Sequence, residues 1–298
     1  MRLSIIVPTK NESIAPKTIK ELRNQFGSEA EIIVVDKSDE KHYLELRSTG
    51  AKVIRQASTG YEDALMQGFR AARGEILSSI DPDGTYRVDE FKKVVEKVSS
   101  GEADFCSGNR FGKLSDGAMT ASIAFGNKFL TGLFRFLYHK NIHDGLSGAF
   151  AMTRKAFDSI REEEPYRAGT LFFEIELARR GFRLMDIPIS YSPRIGSESK
   201  IAKVKPVYGL NIARNTIRYA RDYNPLLIFG TIGAILMLAG LVLGALVITN
   251  YLHTGSLSEI GRALIAFMLV TLGFLSIISG LMLDLLLQIE KILIRNKK

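Results

Sequence analysis

The chain has 298 residues, 46% of them apolar, enough for a substantial core in one large domain or two small ones. Its formal net charge of +8 favours polyanionic partners, whether nucleic acid, anionic lipid or nucleotide diphosphates. A single cysteine, Cys106, excludes an intrachain disulfide and a cysteine zinc cluster, and the only closely spaced histidines, His139 and His143, read as incidental rather than as a ligand set.

The apolar run Leu3 to Val7 predicts a buried strand. Pro8 stops it too early for the core of a signal peptide, so the N-terminal domain is expected to stay in the cytoplasm. A helical pattern starts at Ser13, with Pro16 tolerated in its first turn. Glu31 to Val35 is a second strand ending at Asp36, and Lys52 to Ile54 a short third. Gly60 to Ala72 reads as a helix with Ala64, Leu65 and Gly68 toward the sheet. Glu75 to Ile80 is a fourth strand ending at Asp81, followed by a helix over Val88 to Ser99 and a strand over Asp104 to Ser107. This alternation predicts an α/β, Rossmann-like domain over residues 1–199: a mostly parallel sheet with helices on both faces.

Such sheets bind ligands beyond the carboxyl ends of their strands. The polar residues there are Pro8 to Glu12 after the first strand, Asp36 after the second, and Asp81 and Asp83 after the fourth. A Walker-type loop and a GxGxxG segment after the first strand are both missing, which argues against a P-loop kinase and an ordinary dinucleotide dehydrogenase. Two carboxylates one residue apart suit a hard divalent cation shared with substrate phosphates. Asp81-Pro82-Asp83-Gly84 alone reads equally well as a turn; Asp36 and the Pro8 to Glu12 segment tip the balance.

Composition changes abruptly near Tyr223. Residues 200–223 interleave Lys200, Lys203, Lys205, Arg214, Arg218 and Arg221 with apolar side chains. They read as amphipathic juxtamembrane helices on an anionic surface, the alternative being an ordinary domain helix with a solvated basic face. Residues 224–298 read as a transmembrane hairpin, with spans of about 226–249 and 263–287. At ~1.5 Å per residue, about 20 residues cross a ~30 Å hydrocarbon core. Basic residues flank the hairpin at both outer ends, and the loop offers only Arg262. Both termini and the soluble domain are therefore expected on the cytoplasmic side of a cell membrane, in a multi-pass protein. The clustering of basic residues at these junctions argues against a nucleic-acid partner. Gly240 and Gly244 form a small-xxx-small pattern that permits close packing in the hairpin or in a homo-oligomer.

The segments IIVPTKNE (Ile5 to Glu12), VVD (Val34 to Asp36), DPDGTY (Asp81 to Tyr86), SGNRF (Ser107 to Phe111), DGLSGAF (Asp144 to Phe150), IPISY (Ile187 to Tyr191) and RIGSESK (Arg194 to Lys200) together resemble glycosyltransferase family 2, in particular its polyprenyl-phosphate sugar transferases. The resemblance implies a nucleotide-sugar-binding domain of GT-A type. It also implies inverting, metal-dependent (Mg²⁺ or Mn²⁺) transfer of a hexose from a UDP-glucose or GDP-mannose type donor to a polyprenyl or dolichyl phosphate. By that resemblance Pro8, Lys10, Glu12 and Asp36 line the base and ribose pocket, and Asp81 and Asp83 are the metal-site pair. Arg110, Arg194, Ser197 and Lys200 hold donor or acceptor phosphates, a task that suits the planar fork of arginine. Asp81, Asp83, Arg110 and Arg194 would carry catalysis. Asp144 and Ser147 fall in a motif near the acceptor, though a turn or helix cap accounts for them almost as well. Glu174 is either a site residue or an exposed helix residue.

Three positions depart from the family pattern. Many relatives read DDGS where this chain has Asp36-Lys37-Ser38-Asp39, some carry Gln where it has Thr85, and Pro82 is an unusual middle residue. Two rival readings remain. A processive polysaccharide synthase typically carries Gln-x-x-Arg-Trp, and this chain has no Trp. A non-catalytic, membrane-tethered nucleotide sensor would bind nucleotide without releasing sugar.

Overall fold

The computed structural model describes residues 2–28, 30–160, 169–195, 206–256 and 260–296. The chain divides into two units, 1–216 and 217–298. The first contains β1 (Leu3–Thr9), α1 (Ala15–Phe26), β2 (Glu31–Asp36), α2 (Glu40–Ser48), β3 (Lys52–Arg55), α3 (Tyr61–Ala71), β4 (Ile76–Ser79) and α4 (Val88–Ser99). It continues through β5 (Phe105–Leu114), α5 (Ala121–Tyr138), β6 (Phe150–Thr153), α6 (Arg154–Asp158), α7 (Leu171–Arg179) and β7 (Leu184–Tyr191). Helix α8 (Pro206–Tyr223) spans the division, and the second unit holds α9 (Pro225–Thr254) and α10 (Ile260–Asn296).

Seven strands form one sheet in the order β3-β2-β1-β4-β6-β5-β7. β1 to β4 pair in parallel, as the alternating pattern requires, and so do β5 and β7. β6 runs antiparallel to both its neighbours, β4 and β5. β1 is central because it is apolar on both faces. Ile5 and Val7 join α1 and α4 in one core cluster, and Ile6 faces α3. Each fully buried Ile or Val stabilises by about 1.5–3 kcal/mol. Gly68 permits the close approach of α3: a Cβ there would stand 2.6 Å from Ile6 Cγ2. On the same face Phe69, Phe150, Phe157 and Phe173 pack edge-on or tilted, with ring centroids 5.4–6.0 Å apart.

Strands and helices thus fall where the apolar runs put them. β5 extends to Leu114, well beyond the expected Ser107, because the polar stretch from Asn109 continues along β7 across a register shift. Helix α5 carries Phe125, Phe129 and Phe136 on its exposed side, 74%, 57% and 56% accessible, interspersed with Lys128 and Arg135.

In the second unit, α9 and α10 are each long and apolar enough to cross a membrane, with mean hydropathy of 2.6 and 2.4 over their most apolar stretches. Apolar side chains are exposed along both, among them Ile235, Leu246, Phe267 and Phe274, unlike those of a buried core helix. Glycines let the two helices touch: a Cβ on Gly233 would lie 2.6 Å from Gly273 O, and one on Gly240 2.8 Å from Ala266 O. Gly240 therefore serves the hairpin, whereas Gly244 has only Ala266 Cβ nearby, at 3.8 Å. Ser276 Oγ donates across the pair to Phe229 O at 2.7 Å.

Candidate active site

The carboxyl ends of β1, β2 and β4 bring the expected acidic residues to one edge of the sheet. After β1, Pro8 is buried against β2 and Lys10 is exposed. Asn11 adopts a left-handed backbone (φ 51°). Its N–H donates to Ser38 Oγ at 2.7 Å, and its Oδ1 accepts from Asp39 N–H at 3.1 Å. This links the loops after β1 and β2 and turns Glu12 inward, where it is 4% exposed and ion-paired with Arg194. Asp36, fully buried, accepts from Ser38 N–H at 3.0 Å and from Arg55 Nη1 at 3.1 Å. Arg55 in turn lies 3.8 Å over the Tyr43 ring.

Beyond β4, Asp81 Oδ1 accepts from the Tyr61 hydroxyl at 2.7 Å. Continuing the β4–β6 register from Ser79–Phe150 by two residues sets Asp81 across from Gly148. A Cβ on Gly148 would fall 2.0 Å from Asp81 Oδ2, so only glycine leaves room for this carboxylate. Burial, and then the charge of Asp83, push the Asp81 carboxyl up to about 7 from an ordinary 3.8. Gly84 (φ 76°) completes the turn. Asp83 Oδ1 accepts from the Thr85 N–H at 3.1 Å and the Thr85 hydroxyl at 2.6 Å, and its Oδ2 lies 3.7 Å from Arg194 Nη1. Thr85, at the position where some relatives carry Gln, thus orients the second aspartate. The donor set fits a hard divalent cation. Two carboxylates strain against one another, and each keeps an oxygen unclaimed by a neutral donor. Among the described residues no third His, Cys, Asp or Glu completes a protein-only metal cluster.

Two arginines face this pair. Arg194 Nε is buried without a hydrogen-bond partner among the described residues, a donor suited to an incoming anion. Arg110 on β5 is 6% exposed. Asp144 Oδ2 accepts from its N–H at 3.0 Å and its Nε at 2.7 Å, and Asp144 Oδ1 accepts from its Nη2 at 2.7 Å. Asp144 is therefore the counter-ion of Arg110 rather than a helix cap. Ser147 Oγ lies 3.4 Å from the Tyr86 hydroxyl, which also accepts from Gly148 N–H at 2.9 Å. Glu174 is buried beside Asp144, not exposed on its helix. Ser197 and Lys200 lie outside the described residues. A cavity of about 420 Å³ opens on the α1 side of Gly84, lined by Ile14, Thr18, Tyr86 and Ile195 among others; Asp81 and Asp83 do not line it.

Sequence reasoning missed Tyr61, Arg55, Tyr86 and Gly148. Tyr61 had a signal, because Gly60-Tyr61 follows the third strand at the ligand edge.

The sequence matches the pattern of the family described as Glycosyl transferase family 2 over residues 4–161. Similar proteins include glycosyltransferase AglJ of Haloferax volcanii, 27% identical over 96% of this chain and 94% of its own length. A dolichyl-phosphate hexose transferase of Haloferax volcanii is 28% identical over 67% of this chain and 86% of its own. A dolichol-phosphate mannosyltransferase of Pyrococcus furiosus is 24% identical over 67% of this chain and 59% of its own. The fold is similar to that of mannosyl-3-phosphoglycerate synthase from Rubrobacter xylanophilus, with a TM-score of 0.57 at 17% identity over 74% of each chain. Because the pattern takes in more than half of the chain and both aspartates, this protein is a member of glycosyl transferase family 2.

Proposed function

We propose that this glycosyltransferase moves a hexose from a nucleotide-sugar to a polyprenyl or dolichyl phosphate, with inversion and with Mg²⁺ or Mn²⁺. The observation that carries the reading is the charge arrangement at the sheet edge. Arg194 pairs with Glu12 and reaches toward Asp83, and Arg110 is locked to Asp144. Both cations act electrostatically on Asp81 and would be available to a diphosphate leaving group bound beside it. The names of the Haloferax and Pyrococcus relatives support the lipid phosphate as acceptor.

Asp81 and Asp83 would hold the cation, which supplies charge neutralisation for the departing diphosphate. The chain's own groups do the rest. Tyr61 fixes Asp81 and Thr85 fixes Asp83. Arg194 and Arg110 stabilise charge that grows on the leaving oxygen, and Pro8, Lys10, Glu12 and Asp36 frame the nucleoside. A lipid phosphate oxygen forms a bond to the anomeric carbon as the bond to the nucleoside diphosphate breaks. The second pKa of a phosphate monoester is about 6, so this nucleophile is ionised at neutral pH and requires no general base.

The chemistry places the acceptor at a membrane. Support comes from the two apolar helices, from the basic residues of 200–223, and from the exposed Phe125, Phe129 and Phe136 of α5. In this reading residues 1–199 form the cytoplasmic catalytic domain, 200–223 the juxtamembrane helices and 224–298 the hairpin, with both termini cytoplasmic.

The test uses purified protein in detergent, a short-chain polyprenyl phosphate, Mg²⁺ or Mn²⁺ and a panel of nucleotide-sugars, with sugar in the lipid phase read by mass. One donor is expected to yield a chelator-sensitive lipid product. Tight nucleotide binding with no lipid product from any donor overturns the acceptor assignment.

A further inference from the structure

Behind the Arg110–Asp144 pair lies a carboxyl group that the chemistry above does not use. Glu174 sits in the first turn of α7, 2% exposed, and its Oε2 is buried without a hydrogen-bond partner among the described residues. Gly145, in the turn between α5 and β6, lies beside it: a Cβ there would stand 2.5 Å from Leu171 Cδ1 and 2.7 Å from Glu174 Oε2. From β5 comes Ser107, whose hydroxyl is close enough to act on the carboxyl yet has no partner in full hydrogen-bond geometry.

Charged and polar groups surround this carboxyl. Asp144, Asp186 on β7, Arg110 and the Cys106 thiol all face it electrostatically. Arg110 is committed to Asp144 through three contacts, and Asp186 is held by the N–H and ring of His143. Burial and the charge of Asp144 raise the Glu174 carboxyl well above the usual range.

We propose that Glu174 is a positioning residue: a buried carboxyl packed beside Gly145 that fixes the Asp144 turn and, through it, the direction in which Arg110 meets the donor's diphosphate. The inference rests on the reading of Arg110 as a diphosphate-binding group. Asp144 and Gly145 are adjacent, and Gly145 has no side chain of its own to resist movement. With Glu174 gone the turn can settle into the space, and the guanidinium anchored to Asp144 moves with it. Arg110 acts on Asp81 and lies 5.4 Å over the Tyr191 ring, so a small displacement changes what it offers at the cleft.

The experiment compares full-length Glu174→Gln, Glu174→Ala, Arg110→Ala and the Glu174→Ala/Arg110→Ala double variant. The readouts are calorimetric binding of UDP and GDP, sugar transfer with its pH profile, and melting temperature. Glu174→Ala is expected to weaken diphosphate binding about tenfold or more, the scale on which outer-shell partners act. Glu174→Gln, of the same shape, is expected to restore binding. In the Arg110→Ala background Glu174→Ala is expected to add no further loss, because its effect passes through that side chain. An additive loss, full binding by Glu174→Ala, or a folded Glu174→Gln as impaired as Glu174→Ala each overturns the proposal. If Glu174→Ala does not fold, Gly145→Ala crowds the same carboxyl together with Leu171 Cδ1, and unchanged diphosphate binding in that variant overturns the proposal too. A wild-type protein that binds diphosphate but glycosylates no lipid refutes the acceptor assignment instead, and the binding comparison still decides on Glu174.

Discussion

Replacing Gly148 by alanine tests the site at its tightest point. The added Cβ would lie 2.0 Å from Asp81 Oδ2 and 2.5 Å from Asp81 Cγ, whereas ordinary contact begins near 3.4 Å. Gly148 is held from behind by its N–H bond to Tyr86 and by β6, so the carboxylate must yield by more than about 1 Å, which breaks the 2.7 Å bond from Tyr61. A displacement of about 1 Å at a reacting centre costs roughly 100-fold in rate. That corresponds to ~2.7 kcal/mol of transition-state stabilisation. The overpacking itself costs about 1–3 kcal/mol of stability, a fall of several degrees in melting temperature. The assay is kcat/KM for sugar transfer to polyprenyl phosphate at saturating Mg²⁺. Gly126→Ala on α5, where a Cβ meets nothing within 4 Å, serves as the control and should retain full activity. Gly148→Ala protein with more than half of wild-type kcat/KM would refute the placement of Asp81 at the reacting centre.

Three further outcomes follow from the same geometry. The folded pKa of Asp81, about 7, lies above its ordinary 3.8, so the stability linked to its protonation is fully present below pH 3.8 and is lost as pH rises to about 7. In chelator, Asp81→Asn should therefore gain melting temperature relative to wild type as pH rises from 5 to 8, and a constant difference contradicts the shift. Tyr61→Phe removes a hydrogen bond that lowers the Asp81 pKa, so the pH at which Mg²⁺-dependent nucleotide binding is half-maximal should move upward; an unmoved or lower midpoint rules this out. Asp144→Ala strands the buried Arg110 guanidinium, at a cost of about 3–5 kcal/mol and a melting drop on the order of 10 °C by differential scanning fluorimetry. A drop of one or two degrees would show the pair to be dispensable.

Much of this arrangement is legible in the sequence because its signals are local. Runs such as Ile5 to Val7 and Ile32 to Val35 are apolar on both faces and have only one place in an α/β sheet. Asp36 and Asp81 follow such runs directly, so their place at the ligand edge comes with the strands. What remained hidden depends on pairing between distant segments. Phe150 to Thr153 is a four-residue strand without a distinctive period, and its antiparallel insertion between β4 and β5 is what seats Gly148 against Asp81. Arg110 reads from its motif as a free phosphate ligand. Its partner Asp144 is 34 residues away, and no sequence period marks the buried pair. Glu174 reads as ambiguous because α7 is apolar nearly all round, so periodicity does not say which way it points.

The ion pair between Glu12 and Arg194 joins residues 182 positions apart. At about 5–20 residues per second, roughly 10 to 40 s of translation separate the two partners. Until then Glu12 has no access to that guanidinium, and the edge of the sheet stays acidic and open. Arg194 is followed only some thirty residues later by the first of the two long apolar helices, α9, starting at Pro225. Glu12 and Arg194 therefore meet only shortly before the first of the long apolar helices is made, when nearly all residues of the first unit have been added.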